Sequence, residues 1–446
     1  MRDFEEKARE IFRELCPYRV RGIIDPATGR ADEQSSLRMR NADFATAQKL
    51  IVNELQSLTA TKRMLNAQIK DANKNRNRKQ LFRSREALVR ENFKETIIRK
   101  LADSIAWQLI DGRSDLAQWM HAYEDAPAID KSNLPSVLEE VERITRDDSL
   151  SFGLLSDLTS FIRVGDIIKR DTSGILKIIE VKEGEGNQKA MAILQDELAL
   201  KQAKLDPEKL RSSHGKHLGD QVMRIQKQLA KGAQVKEILN TGKGTDPRTG
   251  DAVIIKAPSH SPTSYASELA GLILQLNKKS WSYTVLDGGL LVGCYKGIMK
   301  GAGRSALELI AQQTFRQSFL TINYRQGLED PLSEPVFLKP FPEDDIFDIV
   351  FDRIRVYLIL SLEWIIEAFS KLGANAKWLS KRETAELRQG NRHESPFIFR
   401  DKAISIEKDD WSLILGGGSL RRIVFDNLLP TSVVSMLVDS LDSCPS

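Results

Sequence analysis

Cysteine is nearly absent from this chain. The three present in 446 residues, Cys16, Cys294 and Cys444, are far apart and form no CxxC pair. That excludes a disulfide framework and a thiolate zinc site, and it suits a reducing compartment. Long apolar runs are missing too: Val356 to Ile366, the most apolar stretch, is about half a bilayer span and contains Ser361 and Glu363. The N-terminal MRDFEEKAREIF is charged throughout and lacks a signal-peptide core, so a soluble cytoplasmic protein with no membrane association is expected. Neither sign of charge dominates, since 66 basic and 62 acidic residues leave +4. Placement of charge therefore says more than its total. Histidine is scarce, and His214 and His217 lack the Glu or Cys company of a zinc site. Gly242-Lys243-Gly244-Thr245 lacks the earlier glycine of a P-loop. Gly297, Gly301 and Gly303 follow a hairpin rather than opening a helix, which argues against a dinucleotide site.

A chain of this length is expected to divide into two or three domains. Hydrophobic periodicity predicts a short helix from Asp3 to Leu15, then a long helix capped by Asp43 whose stripe runs Phe44, Ala47, Ile51, Leu55, Leu58, Leu65, Ile69. A second long helix from near Ser84 carries Val89, Phe93, Ile97, Leu101, Ile105 and Leu109 at four-residue spacing. Two such helices predict an antiparallel pair or a helical arm. Between them, Lys70, Lys74, Arg76, Arg78, Lys79, Arg83 and Arg85 face only Asp71, seven cations against one anion. Such a run is either a solvated junction or a phosphate-contacting surface. From Lys131 the pattern reads as a helix to Arg146, three short strands (152–158, 164–170, 175–182), helices over 188–204 and 218–239, and a hairpin turning at Asp287-Gly288-Gly289. One mixed sheet is expected across these elements. The last third reads as α+β, with a buried strand over 354–360, a helix over 362–372 and a hairpin over 412–425 around Gly416-Gly417-Gly418.

The stretch VGDIIKRDTSGILKIIEVKEGEGNQ, residues 164–188, carries charges that a buried hairpin has no use for. A three-residue loop, Thr172-Ser173-Gly174, with Gly174 left-handed pairs Asp171 with Ile175 and, counting back, Asp166 with Glu180. A two- or four-residue loop puts the two carboxylates on opposite faces. Opposed Cβ atoms lie roughly 4.5–5.5 Å apart, so two carboxylates there repel unless a cation joins them. Mg²⁺ suits one or two carboxylates completed by water and a substrate phosphate. Lys182, on the face of Glu180, can orient water or offset charge developing on phosphate. An E-x-K triplet alone says little, as Glu5-Glu6-Lys7 shows. Here the acids sit among Val, Ile and Leu, where charges need partners.

GDII at 165–168 followed by IIEVK at 178–182 resembles the PD-(D/E)XK nuclease superfamily, over a little more than a third of the chain. Gly165 stands where that family has proline. The resemblance implies an α/β protein, α+β overall. Its centre would be a restriction-endonuclease-like mixed β-sheet core flanked by helices, with a long-helix N-terminal region and a C-terminal α+β domain. The corresponding divisions are 1–130, 131–300 and 301–446. It implies Asp166 and Glu180 as ligands of Mg²⁺, with Mn²⁺ able to substitute, and Lys182 as the catalytic lysine. A further metal-binding Glu on the preceding helix falls to Glu140 or Glu142, and a catalytic Gln on the following helix falls to Gln188, with Gln195 behind it. Asp157 either supports the metal site or ends a strand, and Glu95 faces away from its stripe. The activity implied is metal-dependent hydrolysis of DNA phosphodiesters, with a place in bacterial antiviral defence, and Lys74, Arg76, Arg78, Lys79, Arg83 and Arg85 as nucleic-acid contacts. A partner ATPase or helicase, or a homo-oligomer, belongs to the same expectation. The competing expectation is a non-cleaving nucleic-acid-binding or assembly subunit on the same core.

Overall fold

The structure is a computed structural model and describes residues 1–15, 33–121, 129, 133–199, 207–255, 261–315, 318–389, 396–409 and 411–442. They form an α+β protein in two compact units, 1–255 and 256–446. No helix among the described residues is long and apolar enough to cross a membrane.

In the first unit, α1 (Arg2–Leu15) lies against an antiparallel pair, α2 (Glu33–Lys74) and α3 (Arg78–Leu109). The two long helices reach each other through a turn of only three residues, 75–77. Asn77 caps α3 by accepting the Gln80 N–H at 3.1 Å, and Arg76 takes a positive φ of 54°. The α2 stripe is buried from Phe44 to Leu65 and half-buried at Ile69, but the helix starts at Glu33, so Asp43 lies within it and is not its cap. The α3 stripe is buried only from Ile97 onward, and Val89 is 68% exposed, because the first half of α3 has just α2 beside it. From Ile97 to Trp107 the helix is buried all round, including Arg99, Lys100, Asp103 and Ser104.

After α4 (Ser114–Met120) and α5 (Leu134–Asp147), β1 (Phe152–Leu155), β2 (Ile167–Arg170) and β3 (Leu176–Ile179) form a three-stranded sheet in the order β1-β2-β3. Val141 and Ile144 of α5 cover β1, and Gly153 leaves room for the Ile144 side chain. Then follow α6 (Glu185–Ala199), α7 (Pro207–His214), α8 (Lys216–Thr241), and the two-strand pair β4 (Lys243–Thr245) with β5 (Ala252–Ile254).

The second unit holds α9 (Ala266–Gln275), β6 (Trp281–Leu286), β7 (Leu290–Lys296), α10 (Met299–Phe315), β8 (Phe319–Asn323), α11 (Glu343–Val350), β9 (Ile354–Ser361) and α12 (Leu362–Lys371). Its main sheet runs β6-β7-β9-β8, with α10 packed over Leu291, Tyr295, Tyr357 and Ile359. A smaller sheet joins β10 (Asn375–Trp378), β11 (Ile404–Lys408) and β12 (Trp411–Ile414), accompanied by α13 (Lys381–Gln389), α14 (Gly417–Val424) and α15 (Pro430–Asp442).

Two expectations are corrected. Every strand pairing among the described residues is antiparallel, so the expected mixed sheet does not form, and the 281–296 hairpin belongs to the second unit's sheet. Side-chain amides occupy the edges of the first sheet. Buried Gln48 of α2 donates to the Gly153 carbonyl at 3.2 Å and accepts the Leu155 N–H at 2.9 Å. Asn240 of α8 does the same for both main-chain groups of Leu176, each at 2.9 Å. These amides satisfy edge groups that another strand would otherwise seek. The second correction is the glycine triplet. The strand ends at Ile414, Gly416 is the N-cap residue of α14 and Gly417-Gly418 open that helix, because Leu420, Ile423 and Val424 bury one helical face.

Candidate active site

The geometry begins at the hairpin turn. Asp171 Oδ1 accepts the N–H groups of Ser173 and Ile175, both at 3.1 Å, and Oδ2 meets Lys177 Nζ at 3.0 Å. The Ser173 hydroxyl at 2.6 Å is the leading reason that the Asp171 carboxyl is held down at about 2. Gly174, at φ +78°, closes the three-residue loop, and Asp171 N–H donates to the Ile175 carbonyl at 3.2 Å. The ladder then pairs Arg170 with Leu176 and ends at Ile167 with Ile179. One step further in that register lie Asp166 and Glu180.

Past Ile179 the strands stop pairing conventionally, and side chains take over. Asp166 N–H donates to the Ile179 carbonyl at 2.9 Å, and Asp166 Oδ2 accepts the Val181 N–H at 2.6 Å. The Val181 carbonyl accepts Asn133 Nδ2 at 2.7 Å, from the start of α5. Val181, between Glu180 and Lys182, is thus held through both main-chain groups. Gly165 precedes Asp166 at φ +68°, and a Cβ there would come within 2.4 Å of the Ile178 side chain. Proline, restricted to φ near −65°, has no access to that conformation.

Lys182 Nζ lies 2.8 Å from Glu180 Oε2 and donates to Gln228 Oε1 of α8 at 3.0 Å. Burial pushes the Asp166 carboxyl up to about 6. The Val181 N–H and Lys182 oppose that shift, while the charges of Glu180 and Asp157 add to it. Asp157 is also pushed up, mainly by burial, against the pull of Arg163 and Arg99 and with the repulsion of Glu180. Asp157 follows β1 directly, beside the Ser156 N–H that donates to the Asp166 carbonyl at 2.9 Å. Three carboxylates, Asp157, Asp166 and Glu180, therefore act on one another here.

The buried face of α3 holds this segment. Arg99 donates to the Asp157 carbonyl at 2.6 Å and to Glu95 at 2.9 Å, and Glu95 also bonds Lys62. Burial pushes Glu95 up, but Arg99 and Lys62 outweigh it and hold the carboxyl low. Asp103, paired with Lys100 at 3.2 Å, accepts the Ser160 N–H at 2.7 Å. Charged residues inside the α3 stripe gave no sequence signal of this task.

The remaining candidates lie elsewhere. Glu140 accepts two hydrogen bonds from Arg143, at 2.6 and 2.8 Å, and is held low first by that contact and also by Lys169. Glu142 is exposed on the same helix. Neither is brought to Asp166. Gln188 falls in α6, and its side chain lies outside the described residues; Gln195 is exposed. The divisions at 130 and 300 do not coincide with the break between the two units after Ile255. Gln228 and Asn133 were missed, since an amide in a polar helix or before a proline reads as solvated.

Lys74, Arg76, Arg78, Lys79, Arg83 and Arg85 all lie exposed at the tip of the α2–α3 pair, and none is paired with a carboxylate among the described residues. At 1.5 Å rise per residue, Arg83 stands about 24 Å along α3 from Arg99.

Asp166 and Glu180 fit a divalent ion that draws its remaining ligands from water and phosphate. Among the described residues no group of three or more His, Cys, Asp or Glu side chains is arranged to hold a metal ion. A hard cation would offset the burial that chiefly raises Asp166 and the smaller repulsion from Glu180 and Asp157. Comparison with known protein families, curated proteins and solved structures finds no match to this chain.

Proposed function

We propose that the chain is a metal-dependent nuclease that hydrolyses phosphodiester bonds of DNA. The observation that supports this reading is the hairpin set by the Thr172-Ser173-Gly174 turn, whose ladder runs to Ile167 and Ile179 and leaves Asp166 just beyond it within electrostatic reach of Glu180, with the Lys182 ammonium on Glu180. Asp166 and Glu180 would hold Mg²⁺ or Mn²⁺, which when bound supplies Lewis-acid polarisation of the phosphate and acidification of water. Val181, anchored by Asp166 and Asn133, keeps Glu180 and Lys182 in place. Lys182 supplies positive charge where a phosphate oxygen gains negative charge, and Gln228 limits where that ammonium points. The unpaired cations at the tip of the α2–α3 pair would grip the sugar-phosphate backbone without reading sequence.

The test uses the full chain with plasmid, linear and single-stranded DNA and RNA, in Mg²⁺, Mn²⁺ or EDTA, beside Asp166→Ala and Lys182→Ala. Cleavage of DNA that needs the metal and drops by about 100-fold or more in both variants is the expected result. Cleavage that survives both substitutions removes the site assignment. Binding without cleavage under every condition leaves a nucleic-acid-binding subunit instead.

A further inference from the structure

One edge of the second unit's main sheet is β6, and its sequence WSYTVL holds no charge and no proline. It pairs with β7 without a bulge, from Trp281 against Tyr295 to Leu286 against Leu290. Lys296 N–H donates to the Ser280 carbonyl at 2.8 Å, which fixes the alternation of the ladder. The main-chain groups of Ser282, Thr284 and Leu286 therefore point inward to β7, and those of Trp281, Tyr283 and Val285 point to the open edge. The side chains of these same residues are 42%, 43% and 40% exposed, with the Trp281 and Tyr283 rings stacked at 5.7 Å and 8°. Edge strands of soluble proteins are ordinarily protected by charge, proline, a bulge or a cover, as Gln48 and Asn240 cover the first sheet. Nothing among the described residues does this for β6.

We propose that β6 pairs with β6 of a second copy of this chain, antiparallel about a two-fold axis at Tyr283, joining the two four-stranded sheets into one. This inference does not depend on the nuclease reading. In that register Tyr283 meets Tyr283 of the second copy, and Trp281 meets Val285, an aromatic and β-branched pair of the kind favoured across strands. Every outward N–H and C=O of the three residues gains a partner. The charges flanking the strand are also self-complementary. Lys279, exposed and unpaired among the described residues, precedes the strand and Asp287 follows it in the turn, so an antiparallel second copy brings the one to the same end of the seam as the other; the Asp287 carboxylate accepts from the N–H and hydroxyl of Thr431. No like charges are opposed along the seam. A peptide of another protein could use the same main-chain groups, but the match of Lys279 to Asp287 singles out a second copy.

Sedimentation of the full chain across the micromolar range tests this. The wild type should be a dimer. Tyr283→Lys and Tyr283→Glu each place like charges on the axis and should weaken self-association by about 10- to 30-fold. An equimolar mixture of the two should dimerise again, because the axis then opposes Lys to Glu. A folding defect is bypassed by Tyr283→Cys, which should form a covalent dimer under mild oxidation beyond any seen with the wild type or Thr284→Cys. A monomeric wild type, a Tyr283→Lys protein that remains dimeric, or a mixture that stays monomeric would each overturn the proposal. So would a monomer whose Trp281 fluorescence responds to a single-stranded oligonucleotide, which would give this edge to nucleic acid.

Discussion

Asp166→Asn keeps the size of the side chain and its ability to accept the Val181 N–H, while removing the charge. In the native protein the Asp166 carboxyl is pushed up from its ordinary 3.8 to about 6, chiefly by burial. The folded state therefore binds the proton more tightly than the unfolded chain, so the contribution of this group to stability is greatest below pH 4. It declines as pH rises from 4 to 6, and the full penalty of ionisation is present above 6. A rise of two units is worth about 3 kcal/mol, and solvent access at this half-buried position reduces it to roughly 1–2 kcal/mol. The metal-free Asn variant should thus be more stable than wild type at pH 7.5 by about that amount, while being inactive. Urea unfolding in EDTA at pH 7.5 and pH 4 measures both ends, and the gap should close in acid. Adding Mg²⁺ at pH 7.5 should stabilise the wild type and leave the variant almost unchanged. A variant less stable than wild type at pH 7.5, or an equal Mg²⁺ effect on both proteins, would refute the argument that Asp166 is a strained anion awaiting a cation.

Three further outcomes follow from other parts of the first unit. Charge reversal at Arg76, Arg78 and Arg83 should weaken DNA binding and flatten the salt dependence of log K by about 2–3 units of slope, since each phosphate contact contributes about 0.9; an unchanged slope would remove the helical tip from the interface. Gln48→Ala strands the Gly153 carbonyl and the Leu155 N–H at a buried sheet edge, and should cost about 2–4 kcal/mol in denaturant unfolding. Asp171→Ala should lower stability near neutral pH. Because the Asp171 carboxyl is held at about 2, its contribution is present above pH 4 and lost as pH falls toward 2, so the difference from wild type should disappear in acid.

Much of the hairpin was legible because its determinants are local. An Asp, a Ser and a Gly within five residues choose the turn, and the strict period of two carries its register back to Ile167 and Ile179, one residue short of Asp166 and Glu180. The long helices were legible for a similar reason, although α2 starts at Glu33 rather than after Asp43, and α3 starts at Arg78 rather than Ser84 because Asn77 is available as a cap. What failed to show was any role whose partner lies far along the chain. Gln48 serves β1 from more than a hundred residues away, and Asn240 serves β3 from the opposite direction. Without those amides in view, the first sheet looked free to accept further strands.

By itself, then, the sequence determined the Thr172-Ser173-Gly174 turn, the hairpin register as far as Ile167 and Ile179, and most of the apolar face of α2, all of which depend on neighbours a few residues apart. Only the tertiary structure decided that the first sheet stops at three strands, that α3 buries Arg99 and Asp103 to hold the segment leading to Asp166, and that Gln228 of α8 meets Lys182. The reason is that a polar side chain's pattern along the chain is the same whether it ends in water or on a distant main-chain group, and only the folded arrangement distinguishes the two.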